Sequence, residues 1–85
     1  MEFEKMYVEF AVNLKKSDDF SRDDLMVCDN AWYRINLPEI IELKHFEETY
    51  AIFRLWDTTF SIDEAIKTIE LAFTKEYDAL KAVGN

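Results

Sequence analysis

Apolar residues in the last third of the chain fall at Ile62, Ile66, Ile69, Phe73, Tyr77, Leu80 and Val83, in steps of three and four. That spacing keeps them on one stripe of an α-helix. Ser61 followed by Glu64 has the form of a capping box, in which the hydroxyl takes a free backbone N–H of the first turn. Asp63 and Glu64 complement the positive end of the helix dipole, and Lys75 and Lys81 suit the other end. Gly84 can adopt the left-handed conformation that closes a last turn. The pattern predicts an amphipathic helix over residues 61–83, about 33 Å long at the standard rise.

Residues 4–14 alternate instead. Met6, Val8, Phe10, Val12 and Leu14 point one way; Lys5, Tyr7, Glu9, Ala11 and Asn13 point the other. This is the period of a half-buried strand. A helical reading through Phe3, Met6, Tyr7, Phe10 and Leu14 would leave Val8 and Val12 on the wrong side, so the strand is favoured.

Between these segments lie three apolar stretches, Ala31–Leu37, Glu39–Phe46 and Thr49–Asp57. Trp32, Tyr33, Ile35, Tyr50, Ile52, Phe53 and Trp56 are β-branched or aromatic, the composition of strands. Pro38 separates the first two stretches and pushes Leu37 out of the helical region. Two readings compete for residues 38–50. One is a hairpin of the first two stretches around Pro38, with a second turn at Glu47-Glu48, where neither residue favours positive φ. The other is a helix from Pro38 to about Tyr50. Thr49–Asp57 is apolar on both faces and reads as a central strand in either case. The expected fold class is α+β, with a small, mainly antiparallel sheet of three to four strands covered on one face by the C-terminal amphipathic helix. The 85 residues form one domain.

Charge changes this picture in one place. The chain carries −8, and residues 17–30 hold half of it, with Asp18, Asp19, Asp23, Asp24 and Asp29 against Arg22. Ser21 with Asp24 is a second possible cap, so a short helix over Arg22–Cys28 fits inside this stretch. The acidity disfavours nonspecific binding to nucleic acid or to anionic lipid. No 18-residue apolar run exists to span a membrane, and the first 16 residues lack the basic and apolar regions of a signal peptide; the expected location is cytoplasmic.

Candidate chemistry is sparse. One cysteine, Cys28, excludes an intrachain disulfide and a Cys-based zinc site. A catalytic thiol needs a base, and no motif links Cys28 to the single histidine, His45. The five aspartates lack the alternation, central Gly and closing Glu of a calcium loop. No catalytic residue, metal ligand or cofactor is expected.

Thirteen aromatic residues are many for one small sheet with one helix. Some should stay exposed, and exposed aromatics beside Arg are typical of protein interfaces. A base-stacking platform would need more Lys and Arg around them. The leading expectation is a non-enzymatic acidic module that binds another protein with a basic surface. Its concrete form is an inhibitor of the phage anti-defence type that occupies a nucleic-acid-binding site. The expected contact residues are Asp18, Asp19, Phe20, Asp23, Asp24, Asp29, Trp32, Tyr33 and Trp56. The alternative is a small structural or oligomeric subunit that associates through its aromatics; a small enzyme ranks third.

Overall fold

A computed structural model describes residues 6–14, 21–57 and 59–83. The elements run β1 (Val8–Asn13), α1 (Arg22–Arg34), β2 (Ile41–Glu47), β3 (Tyr50–Leu55) and α2 (Ile62–Val83). The sheet is three-stranded, in the order β1-β3-β2, and antiparallel throughout. The α+β class and the central place of the third apolar stretch are therefore as the sequence predicts. β1 and β2 run parallel to each other with β3 between them, so α1 makes a split β-α-β crossover.

The alternation in residues 4–14 produces β1, although its first two positions lie outside the described residues. Val8, Phe10 and Val12 sit opposite Leu55, Phe53 and Ala51, all on the core face. Directly opposed residues share a face in an antiparallel pair. Val12, Leu14, Ala51, Phe53 and Leu55 are buried there.

The C-terminal helix forms as its pattern demands. The Ser61 hydroxyl accepts the Glu64 N–H at 3.0 Å, and Ala65, Ile69 and Phe73 are buried. Ile66 and Tyr77 pack against the core only partly buried. Gly84 lies outside the described residues.

In the middle of the chain the hairpin reading holds in its second half, where Ile41–Glu47 pairs with Tyr50–Leu55 across a tight turn, and fails in its first. Residues 31–34 are not a strand but the last turn of α1, so no hairpin surrounds Pro38, and no helix follows it. Packing overrides β-propensity here. Trp32 is buried, with its ring 5.8 Å from Phe53 of the sheet and 4.4 Å from Phe73 of α2. Burying one such ring contributes about 1.5–3 kcal/mol, more than the few tenths by which Trp and Tyr disfavour a helix. The stripe Leu25, Cys28, Trp32 and Ile35 has steps of three, four and three, and this is the helical signal in the segment. A full capping box starts α1. Ser21 Oγ accepts the Asp24 N–H at 3.1 Å, and Asp24 Oδ2 accepts the Ser21 N–H at 3.3 Å.

The two helices pair antiparallel through matched turns. Asp24 meets Lys81, Cys28 lies beside Tyr77, and Trp32 packs against Phe73. Each step moves one turn forward on α1 and one turn back on α2. Side chains of both helices and the sheet's core face form one cluster. The second helix is thus longer than the Arg22–Cys28 segment expected, and α2 shares the core with it.

The β2–β3 loop is two residues, Glu48-Thr49, one position later than the expected turn, between the paired Glu47 and Tyr50. Glu48 adopts φ 55°. Primed hairpin turns require positive φ at the first loop residue and usually place Gly, Asn or Asp there. This chain holds a glutamate in that conformation by bonds from α1. The Trp32 Nε1–H donates to the Glu48 carbonyl at 2.7 Å, and the Glu48 N–H donates to Asp29 Oδ1 at 2.8 Å.

Candidate functional site

The alternation that buries one side of the sheet sets Tyr7, Glu9, Ala11 and Asn13 on the other. Tyr50, Ile52 and Arg54 of β3 share that face, as do Trp56 just past its end and Glu42, His45 and Glu47 of β2. Ala11, His45 and Glu47 are exposed, and no described helix lies over them.

At one end of this face the side chains interlock. Arg54 lies between two acids, opposite Glu9 on one neighbouring strand and Glu42 on the other. Its Nε donates to Glu9 Oε2 at 3.1 Å, and its guanidinium carbon stands 4.4 Å from the centre of the Tyr7 ring. Tyr7 and Trp56 are 4.7 Å apart between ring centroids, tilted by 53°. The Trp56 indole N–H donates to Glu42 Oε1 at 2.8 Å. The hydrogen bond to Glu9 is the main cause that raises the Arg54 pKa further above its ordinary value, with Tyr7, Glu9 and Glu42 adding charge attraction. Tyr7 remains 42% exposed, so the cluster presents aromatic surface to solvent while the Trp56 N–H is satisfied by Glu42.

The expected contact residues do not form one surface. Asp18, Asp19 and Phe20 lie outside the described residues. Asp23 is exposed in the first turn of α1. Asp24 is half-buried and engaged twice, in the capping box and with Lys81 Nζ at 2.6 Å. Those bonds, Lys81 first, hold its carboxyl below the usual range, and the same contact raises Lys81. Asp29 bonds the hairpin loop. Tyr33 is 81% exposed on α1, its ring edge-on to Phe46. Trp56 lies on the opposite side of the sheet from these.

Trp32 is a correction. It is 1% exposed, and its N–H is bonded to Glu48, so it belongs to the core and cannot contact a partner. What the contact set omits is the company of Trp56: Tyr7, Glu9, Glu42 and Arg54. Strand parity sets Arg54 beside Trp56, since the two alternate with buried Phe53 and Leu55; Tyr7, Glu9 and Glu42 join them through contacts between strands.

Cys28 is fully buried in the helix–helix seam and forms no disulfide. Nearby, burial pushes the Tyr77 phenol up, and the Asp24 carboxylate adds to the rise. His45 is exposed on the open face of the sheet, on the other side from Cys28. The two do not meet. A shallow depression of about 330 Å³ lies between the end of α1 and α2, lined by Asn36, Leu71, Ala72, Lys75 and Glu76. It holds no nucleophile paired with a base. Among the described residues no three His, Cys, Asp or Glu side chains are grouped to hold a metal ion, and no helix is long and apolar enough to cross a membrane.

No protein-family model, curated protein or solved structure matches the chain.

Proposed function

We propose that this chain is a small non-enzymatic binding module that docks another protein against the open face of its sheet. The observation that carries this reading is the Tyr7–Arg54–Trp56 cluster between Glu9 and Glu42. Tyr, Trp and Arg are the residue types that dominate interface energetics when desolvated. Their side chains are already fixed by mutual packing, so binding would cost little further ordering. Glu9, Glu42 and Glu47 outnumber Arg54 and Lys44 around this face, and the chain carries −8. The matching partner is therefore a basic protein surface, drawn in by complementary charge.

The narrower reading, an inhibitor that stands in for nucleic acid, needs a row of free carboxylates. Asp24 and Asp29 are engaged internally, so the geometry favours the broader module. The test begins with affinity capture from the native host at low salt and continues with titration of the purified partner. Trp56→Ala and Tyr7→Ala should stay folded and weaken binding at least tenfold. Rising salt should weaken it further. Full affinity in both variants would refute the assignment of this face.

A further inference from the structure

The two outer strands of the sheet are not equally protected. β2 breaks register between Leu43 and His45, where Lys44 is inserted as a bulge. A bulge with an exposed lysine is a usual means of blocking strand addition at a sheet edge. β1 has neither. Its six pairs with β3 run without a break, and it contains no Pro and no Lys. Its one charged residue, Glu9, is turned along the sheet toward Arg54.

The phase of the ladder shows which groups face outward. The Leu14 N–H donates to the Thr49 carbonyl at 2.8 Å, making this a bonded pair just past the end of β1. Bonded and non-bonded pairs alternate in an antiparallel ladder. Val12, Phe10 and Val8 therefore direct their main-chain groups to β3. Glu9, Ala11 and Asn13 direct theirs away from it, where no described strand lies.

We propose that a second copy of this chain occupies that edge, its β1 running antiparallel to β1 across a two-fold axis at Phe10, to give a continuous six-stranded sheet. The strand is self-complementary in this register. On the core face Phe10 stands beside Phe10 of the second copy, and Val8 beside Val12. Val8 is 39% exposed whereas its β3 partner Leu55 is 1% exposed, so it is the position on this face that gains cover. On the open face Glu9 stands beside Ala11, and Tyr7 beside Asn13, so no like charges oppose each other. A shift of one pair toward the start of the strand would place Glu9 against Glu9, which is unfavourable. This inference uses the main-chain edge of the sheet; Tyr7 and Glu9 also belong to the open-face cluster, and the opposite salt dependences of the two associations tell them apart.

The test uses the purified chain alone. Sedimentation equilibrium should give twice the 10.1 kDa chain mass. Each copy carries −8, so dimerisation should tighten with salt, the reverse of docking to a basic partner. Ala11→Pro removes an outward N–H without touching the β3 ladder, and Pro is tolerated at such positions. It should halve the mass while keeping the circular dichroism of the wild type. Hydrogen exchange of the wild type supplies a second reading that needs no variant. The amides of Glu9, Ala11 and Asn13 should exchange faster on dilution while those of Phe10 and Val12 do not change. A monomer mass at all concentrations, a dimeric folded Ala11→Pro variant, or exchange independent of concentration would overturn the proposal.

Discussion

The indole N–H of Trp32 reaches across 2.7 Å to the main-chain carbonyl of Glu48, tying the core of α1 to the loop that joins β2 and β3. One turn earlier on the helix, Asp29 takes the N–H of the same residue. A glutamate at φ 55° is thus held on both sides of its peptide unit from a distant element.

The loop's conformation costs a non-glycine residue about 1 kcal/mol or more. Glu48→Gly should therefore stabilise the protein by about 0.5–1 kcal/mol in urea denaturation, after the extra freedom glycine gives the unfolded chain. Asp29→Ala should destabilise it by about 1 kcal/mol through the lost bond to the loop. Destabilisation by Glu48→Gly would mean that the helix does not impose this backbone.

Phe73 packs against Trp32 with its ring tilted 44° at the centre of the helix pair and is 1% exposed. Phe73→Ala should cost about 3–5 kcal/mol in the same assay. For an 85-residue chain that is a large share of the expected stability. A loss below about 1 kcal/mol would place α2 elsewhere.

Much of this fold can be read from periodicity. β1 and α2 repeat strictly, at two and at three to four residues, β3 is a short run apolar on both faces, and each is present. α1 was hidden because Trp32, Tyr33 and Ile35 favour strands. Their helical state depends on Phe53 and Phe73, which lie 21 and 41 positions beyond Trp32. The hairpin loop was legible to within one residue, but its conformation was not, since nothing local to Glu48 favours positive φ and both supporting bonds come from α1. The acidic stretch looked like one surface, but a helix divides it, and two of its carboxylates serve the fold. Of the contact residues expected, Trp56 is the one that stands in the open-face cluster, and its neighbours follow from the pairing of β1 with β3, which no local pattern reveals.

The Asp24–Lys81 contact should be visible in the pH dependence of stability. The Asp24 pKa is lowered by folding, with the Lys81 bond as the first cause. A depressed carboxylate stabilises the folded state above its unfolded pKa, and that contribution fades as pH falls through the folded value. The stability difference between wild type and Lys81→Met should hold steady near neutral pH and shrink at acid pH. A difference that does not vary with pH would exclude the contact in solution.

Cys28 is shielded by the helix seam and should react with a disulfide reagent only when the structure opens. Its labelling rate should rise with urea in step with unfolding. Rapid labelling of the native protein would contradict its burial.

Isotope-labelled protein titrated with the basic partner recovered by capture tests the proposed binding face most directly. Shift changes should centre on the amides of Tyr7, Glu9, Ile52 and Arg54 and on the Trp56 indole N–H. Changes confined to α2 and the depression beside Asn36, with the Trp56 indole unmoved, would contradict the account.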